Sequence, residues 1–213
     1  MSFSRYNTED QVISSETVVR GLWSGDSNTL SSFYTSSTYT EYYLDVYNGD
    51  PSSTSNTVQF SIQYGNLQGS GSALINSNVG GLTPSRVVYG EYRNLVYGTE
   101  TTNFSFDNGA TTGSQIFVIN IARARYKENI LPGSFILSLA CPSASVTNSI
   151  TLVDDSTTTS LTRYIGENRV YYIISGSTAG VPLASATSSY YGMLFPDLNI
   201  AILNMTSGSS TSL

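Results

Sequence analysis

The stretch TVQFSIQY, residues 57–64, decides the fold class of this chain. Every second residue is apolar and Gln or Ser stands between; the apolar set is Val58, Phe60, Ile62 and Tyr64. An extended strand places successive side chains on opposite faces, so this alternation predicts a half-buried strand of an antiparallel sheet. The turn-forming sequence YNGDP at residues 47–51 precedes it and predicts that the strand pairs with the one before the turn.

Further runs rich in aromatic and β-branched residues are bounded by Gly, Pro, Asn, Asp or Ser, which is typical of strands. They lie at Tyr42–Val46, Gln115–Ile121, Ser134–Ala140, Ser149–Val153, Arg169–Ser175, Gly192–Phe195 and Ile200–Asn204. We therefore predict a mainly β protein, built as an antiparallel β-sandwich or barrel-like domain over residues 41–205.

One segment follows a helical pattern instead. Thr83 stands at an N-cap position, Pro84 at the first helical position and Gly98 just past the end. Apolar residues between them recur at helical spacing, which predicts one helix at about 84–97. Residues 122–130 are predicted to form either one helical turn or the end of a strand.

The first 40 residues predict an extended N-terminal arm. They are rich in Ser, Thr and Asn and too polar to form a core alone, so we expect the arm to order against a neighbouring subunit. Trp23, the only Trp, is interpreted either as an interface anchor or as part of its own domain's core. Residues 206–213 are predicted to form a flexible tail. The interface candidates in the arm are Arg20, Leu22, Trp23, Phe33 and Tyr34.

Composition excludes several classes of protein. The 213 residues include 9 Lys and Arg, 15 Asp and Glu and no His, and only 11% are charged. With a net charge of −6, we expect no nucleic-acid binding. The absence of His excludes Ser-His-Asp catalysis and His-ligated zinc. A single cysteine excludes an intramolecular disulfide. The first residues show neither a secretion signal nor a membrane anchor, so we expect no membrane partner and maturation in a reducing cytoplasm.

No motif in the sequence indicates catalysis, and we predict no enzyme, cofactor or metal site. Asp154-Asp155 ends a strand and is interpreted as turn chemistry, with calcium binding as the alternative. Cys141 is interpreted as a small buried hydrophobe, because no basic cluster stands near it in sequence to lower its pKa. The glycine-rich stretches 65–72 and 79–81 lack the lysine of a phosphate-binding loop and are predicted to be loops.

Arg123, Arg125 and Lys127 form the strongest local concentration of positive charge. In an extended chain this alternation would place all three side chains on one face. Two interpretations stay open: a solvated face, or ion pairs with acidic groups of a neighbouring subunit, since Arg is suited to bidentate contacts. All three residues are therefore interface candidates.

Several segments together carry a resemblance to a known group of proteins. These are DSNTL at residues 26–30, TPSRVVYGEYRNL at 83–95, IARARYKE at 121–128 with LPG at 131–133, and YGMLFPDLNIAILN at 191–204. They are similar to virion structural proteins of contractile-tailed, myovirus-type phages, particularly those that infect cyanobacteria. The resemblance implies a non-enzymatic subunit of the tail or baseplate, assembled in the host cytoplasm with copies of itself or other virion proteins.

Two alternatives to a tail subunit stay open at this point. The first is a capsid decoration protein, which would belong to the same virion. The second is a carbohydrate-binding host-adhesion module, which the 16 Tyr residues favour because their rings offer flat apolar faces to glycans.

Overall fold

An antiparallel nine-stranded sheet, curled into a half-barrel, forms the body of the protein. The computed structural model describes residues 43–49, 53–70, 83–106, 112–125, 128–143, 146–159, 162–183 and 190–204. The mainly β prediction and its barrel-like form are confirmed. Residues 1–40 and 206–213, with the candidates Arg20, Leu22, Trp23, Phe33 and Tyr34, lie outside the described residues.

Every predicted strand is present within a few residues of its expected bounds. The strands are β1 (Tyr43–Tyr47), β2 (Val58–Asn66), β3 (Phe104–Ser105), β4 (Thr112–Gly113), β5 (Gln115–Ile121), β6 (Ile136–Ser143), β7 (Val146–Asp154), β8 (Arg163–Ile165), β9 (Asn168–Ser175), β10 (Gly192–Phe195) and β11 (Ile200–Asn204). The sheet order is β1-β2-β5-β11-β10-β9-β7-β6, with β8 beside β9 and a separate β3-β4 pair. The sequence missed β3, β4 and β8, which are too short to show a periodic pattern.

The predicted pairing of β1 with β2 is confirmed as antiparallel. The Asn48 side chain closes the connection, because its Oδ1 accepts the Thr57 N–H at 2.8 Å. The Asn48 N–H in turn donates to the Thr57 carbonyl at 3.3 Å. Asn48 therefore joins the ends of the two strands, as expected for a turn-forming residue at this position.

The helix α1 spans Pro84–Tyr97, as predicted. Its C-cap Gly98 has φ 67°, and its N–H donates to the Asn94 carbonyl at 2.9 Å, which ends the helix. Thr83 occupies the N-cap position but does not cap the helix with its side chain. Its hydroxyl donates instead to the Gly69 carbonyl at 2.8 Å and ties the helix start to the loop after β2.

A hydrophobic core lies on each face of the sheet. On the face that packs against α1, the helix face, the core includes Tyr89, Tyr92, Phe104, Phe106, Ile116, Val118, Tyr172, Met193, Phe195 and Ile202. On the opposite face, the far face, it includes Ile119, Ile121, Ile130, Leu152, Tyr171, Ile173, Leu194, Ala201 and Leu203. Five neighbouring strands, β5, β11, β10, β9 and β7, contribute to both cores, so they form the centre of the sheet.

Strand β2 differs from the prediction in one respect. Its alternating apolar side chains Phe60, Ile62 and Tyr64 are only partly buried, whereas the polar Gln59 is fully buried. The strand also continues past Tyr64 to Asn66. The reason is tertiary: α1 packs against β2, so the polar face of this strand lies beneath the helix.

Short 3₁₀ helices occur at Arg123–Arg125 and Asp155–Thr157. The first agrees with the helical-turn alternative predicted for residues 122–130 over its three residues, whereas residues 126 and 127 lie outside the described residues. Among the described residues, the only α-helix is shorter and more polar than a helix that crosses a membrane.

Candidate functional site

The far face of β1, β2 and β5 carries a continuous row of large apolar side chains. The strand register places Leu44 opposite Ile62, which in turn lies opposite Ile119. Tyr64 lies opposite Phe117 in the same way. Paired residues share a face of the sheet, so these side chains form one surface. We call it the apolar ledge and define it as Leu44, Phe60, Ile62, Tyr64 and Phe117.

The ledge side chains contact each other but stay partly exposed. The rings of Tyr64 and Phe117 lie 5.4 Å apart at 57°. Leu44 is 38% exposed, and the other members are half-buried. Towards the centre of the sheet the same face becomes closed, since Ala201 and Leu194 are fully buried. The ledge is therefore the open margin of the far-face core.

Polar groups border the ledge without adding charge to it. At one end, the Asn66 side-chain amide donates to the Tyr64 hydroxyl at 3.1 Å. Asp45 lies on the opposite face of β1, where its carboxylate accepts a hydrogen bond from the Ser61 hydroxyl. An uncharged apolar centre with a polar border is the usual composition of a protein interface.

The arginine cluster predicted from the sequence has a different geometry from the extended one. Arg123 and Arg125 lie in a 3₁₀ helix, where successive residues turn by about 120°, so their side chains do not share one face. Arg123 is exposed and Arg125 is half-buried. Lys127 lies outside the described residues. The proposed role of these residues in an interface stays a prediction.

Asp154 and Asp155 have the turn role that the sequence predicted. The Asp154 carboxylate accepts the Gly133 N–H at 2.7 Å and the Phe135 N–H at 3.1 Å. The Asp155 carboxylate accepts the Tyr172 N–H at 2.9 Å and pairs with Arg163 at 2.6 Å. Both carboxylates are buried, and these donors compensate for the loss of water.

Across the part of the chain that the structure describes, no group of three or more His, Cys, Asp or Glu side chains could hold a metal ion. The alternative of calcium at Asp154-Asp155 therefore receives no support from the geometry, because their oxygens already accept hydrogen bonds from the protein.

A polar cavity of about 300 Å³ lies beside α1. Its two cationic lining residues, Arg86 and Arg93, are two turns apart on the helix. A helical wheel of the sequence would therefore place them on the same side of α1. The Arg93 guanidinium lies 5.9 Å from the centre of the Tyr89 ring. With Glu100 at the border, the cavity carries mixed charge. Its lining residues are Leu67, Arg86, Tyr89, Gly90, Arg93 and Glu100.

Three tyrosines of α1 have a structural role. Burial raises the pKa of Tyr89, Tyr92 and Tyr97 above the ordinary value, so each phenol is neutral at pH 7. The Tyr89 hydroxyl donates to the Gly113 carbonyl at 2.6 Å and accepts the Phe104 N–H at 3.3 Å. It thereby joins the β3-β4 pair to the helix.

Comparison with known proteins found no match: no protein family, no curated protein and no solved structure is significantly similar to this chain. The surfaces of this chain are therefore the basis for inferring its function. The apolar ledge is the surface that sequence reasoning missed. Three of its five residues belong to the alternating apolar pattern of residues 57–64. Leu44 and Phe117 join the ledge only through the register of the sheet.

Proposed function

We propose that this protein is a non-enzymatic structural subunit of a phage virion, located in the contractile tail or baseplate. The observation that carries the proposal is the apolar ledge. Its large side chains stay partly exposed in the single chain, and burial of apolar surface is worth about 25 cal/mol per Å². An uncharged apolar surface of this kind is suited to permanent contact with another subunit.

The resemblance to virion proteins adds support from the packed part of the chain. Two segments that carry it, residues 83–95 and 191–204, include most of α1 and the β10-β11 hairpin. Side chains from both elements enter the helix-face core. The resemblance thus includes residues that build the fold as well as the N-terminal arm.

The absence of catalysis is part of the proposal. In a chain without His, a carboxyl group within reach of a substrate is one of the groups that could serve general acid–base chemistry. The adjacent carboxylates Asp154 and Asp155 instead hold backbone N–H groups and an arginine inside the protein. Their environment favours a structural role for this pair.

The proposal is tested on particles of the phage whose genome encodes this chain. Peptide mass spectrometry of purified particles is expected to find the chain in a fixed ratio to the tail proteins, and cryo-electron microscopy to show its half-barrel in the tail or baseplate. Density on the head would support capsid decoration instead. Absence of the chain from the particles would overturn the proposal.

A glycan array tests the adhesion module separately. Binding of a defined glycan by the purified chain, lost when Tyr43 is changed to Ala, would favour that alternative. Tyr43 is 38% exposed and leaves room for such a contact. A structural subunit without receptor function shows no glycan binding.

A further inference from the structure

We infer that the apolar ledge is the docking site for the N-terminal arm of a second copy of this chain, with Leu22 and Trp23 as the residues that enter it. The inference rests on the proposed assembly function and specifies the partner. It follows from the chemistry of the ledge, from its place at the edge of the sheet and from the length of chain that precedes it.

The chemistry of the arm matches that of the ledge. Residues 21–40 hold Leu22, Trp23, Phe33 and Tyr34 but a single charged residue, Asp26. None of the ledge residues is charged. A segment with a single charge loses little charge solvation when it is buried on such a surface, while its Trp and Phe supply large apolar area. A strongly charged partner would lose the hydration of its charges on this surface, and no ledge residue carries a charge to compensate for that loss.

The ledge lies where an added strand can reach it. Among the strands of the described residues, β1 is the terminal one in the sheet order, and it pairs with β2 on one side. A terminal strand offers its outer backbone groups to another chain, and a strand added there places alternate side chains on each face. A segment paired with β1 would therefore set apolar side chains beside Leu44, the ledge residue on that strand.

The length of the arm allows it to reach the ledge of a second copy. Trp23 stands 20 residues before Tyr43, and an extended segment of that length spans up to about 70 Å. The longest strands of the sheet have 9 residues, about 30 Å. Two copies can exchange arms in this way symmetrically.

Site-specific photo-crosslinking of the full chain tests the inference. A benzophenone amino acid replaces Trp23, and isotope-labelled and unlabelled copies are mixed before irradiation. We expect covalent dimers that contain one copy of each label, with the cross-link in peptides 43–66 or 115–121. Cross-links within one chain would overturn the inference in favour of the chain's own ledge. Cross-links to α1, or none, would also overturn it.

A matched pair of variants tests the ledge itself. Leu44 and Leu95 have similar exposure, 38% and 48%, but Leu95 lies on α1, away from the ledge. Leu44→Gln is expected to weaken dimerisation at least ten-fold in sedimentation equilibrium, and Leu95→Gln to leave it unchanged. Equal effects of both variants, or no effect of either, would contradict the assignment. Urea unfolding confirms that each variant is folded.

The arm is varied in the same experiment. Trp23→Ala should weaken dimerisation as much as Leu44→Gln does, and the double variant should be no weaker than either single one, since both remove the same contact. Full additivity would place Trp23 elsewhere and contradict the inference. A chain that is present in particles but cross-links elsewhere overturns only this inference, whereas a chain absent from particles overturns the proposed function.

Discussion

Strands β11 and β2 each pair with a strand on both sides in the antiparallel sheet, yet they bury their side chains in different ways. All residues of β11, Ile200–Asn204, are buried, because a hydrophobic core covers each face. In β2 the apolar Phe60, Ile62 and Tyr64 stay partly exposed, and the polar Gln59 is fully buried. Both strands pair with β5, so a single strand separates the two environments.

This difference in burial suggests that the two strands have different roles, one in the stability of the fold and one in assembly. Side chains of β11 and its neighbours hold the fold together, since both their faces are closed within one chain. Side chains of the ledge contribute less to the fold and offer apolar surface to a partner. The predictions below test this division by comparing a residue of the closed centre with a matched residue of the open margin.

Two phenylalanines give the largest contrast. Phe195 is fully buried in the helix-face core, whereas Phe117 is half-buried on the ledge. Phe195→Ala is expected to lower the free energy of unfolding by about 3–5 kcal/mol, because it leaves a cavity in a closed core. Phe117→Ala is expected to cost about 1–2 kcal/mol, since part of its surface is already in water. Urea unfolding of dilute protein measures both, and equal losses would mean that the ledge is core.

Two aspartates give the next contrast. Asp154 is 1% exposed and accepts two backbone N–H groups, whereas Asp45 on β1 is half-buried and accepts one hydroxyl. Asp154→Ala would leave buried donors without a partner and is expected to cost about 2–4 kcal/mol. Asp45→Ala is expected to cost no more than about 1 kcal/mol. A thermal or urea scan in which Asp45→Ala is the more damaging variant would reverse the comparison.

Alanine substitutions at two glycines are expected to change the free energy of unfolding in opposite directions. A Cβ on Gly65 would lie 2.8 Å from Ile116 Cγ1 and 3.1 Å from the Tyr89 backbone nitrogen, so Gly65→Ala is expected to destabilise by about 1–3 kcal/mol. A Cβ on Gly90 would have no atom within 4 Å, and Gly90→Ala is expected to stabilise the helix by about 0.5–1 kcal/mol. Denaturant midpoints decide both. Stabilisation by Gly65→Ala would show that α1 does not approach β2 this closely.

The smallest effect is confined to alkaline solution. Burial raises the pKa of Tyr89, Tyr92 and Tyr97, so the folded chain keeps these phenols protonated after the unfolded chain has ionised them. The contribution of these phenols to the free energy of unfolding should be constant with pH below about 10 and fall above it. Tyr92→Phe should make this fall shallower in urea titrations. An equally steep fall in the Tyr92→Phe variant would contradict this account.

Local signals in the sequence predicted the elements well, because each depends on a few neighbouring residues. Pro84 and Gly98 bound α1 since one fits the first helical turn and the other adopts positive φ. The turn after β1 set the pairing with β2, as Asn48 closes it by a hydrogen bond. The pair Asp154-Asp155 lies at a strand end that leads into a 3₁₀ turn, as predicted, but their carboxylates bind groups that are distant in the chain, such as the Gly133 and Tyr172 N–H groups.

Residues whose role depends on distant partners could not be interpreted from the sequence. Gly65 looked like the end of a strand, but it lies inside β2, where Ile116 and Tyr89 leave no space for a side chain. Arg123 and Arg125 suggested one extended cationic face, and a 3₁₀ turn separates them. In the sheet, β5 lies between β2 and β11, and no short-range pattern in the sequence predicts this order.

The sequence by itself determined the fold class, the helix and the strands, because alternation and capping act over a few residues. It also determined that ionisable groups are few and that the first 40 residues are too polar for a core of their own. Only the tertiary structure decided which face of each strand is closed. That choice depends on how strands far apart in the chain pair and on where α1 packs, and it is what makes the apolar ledge a surface instead of a core.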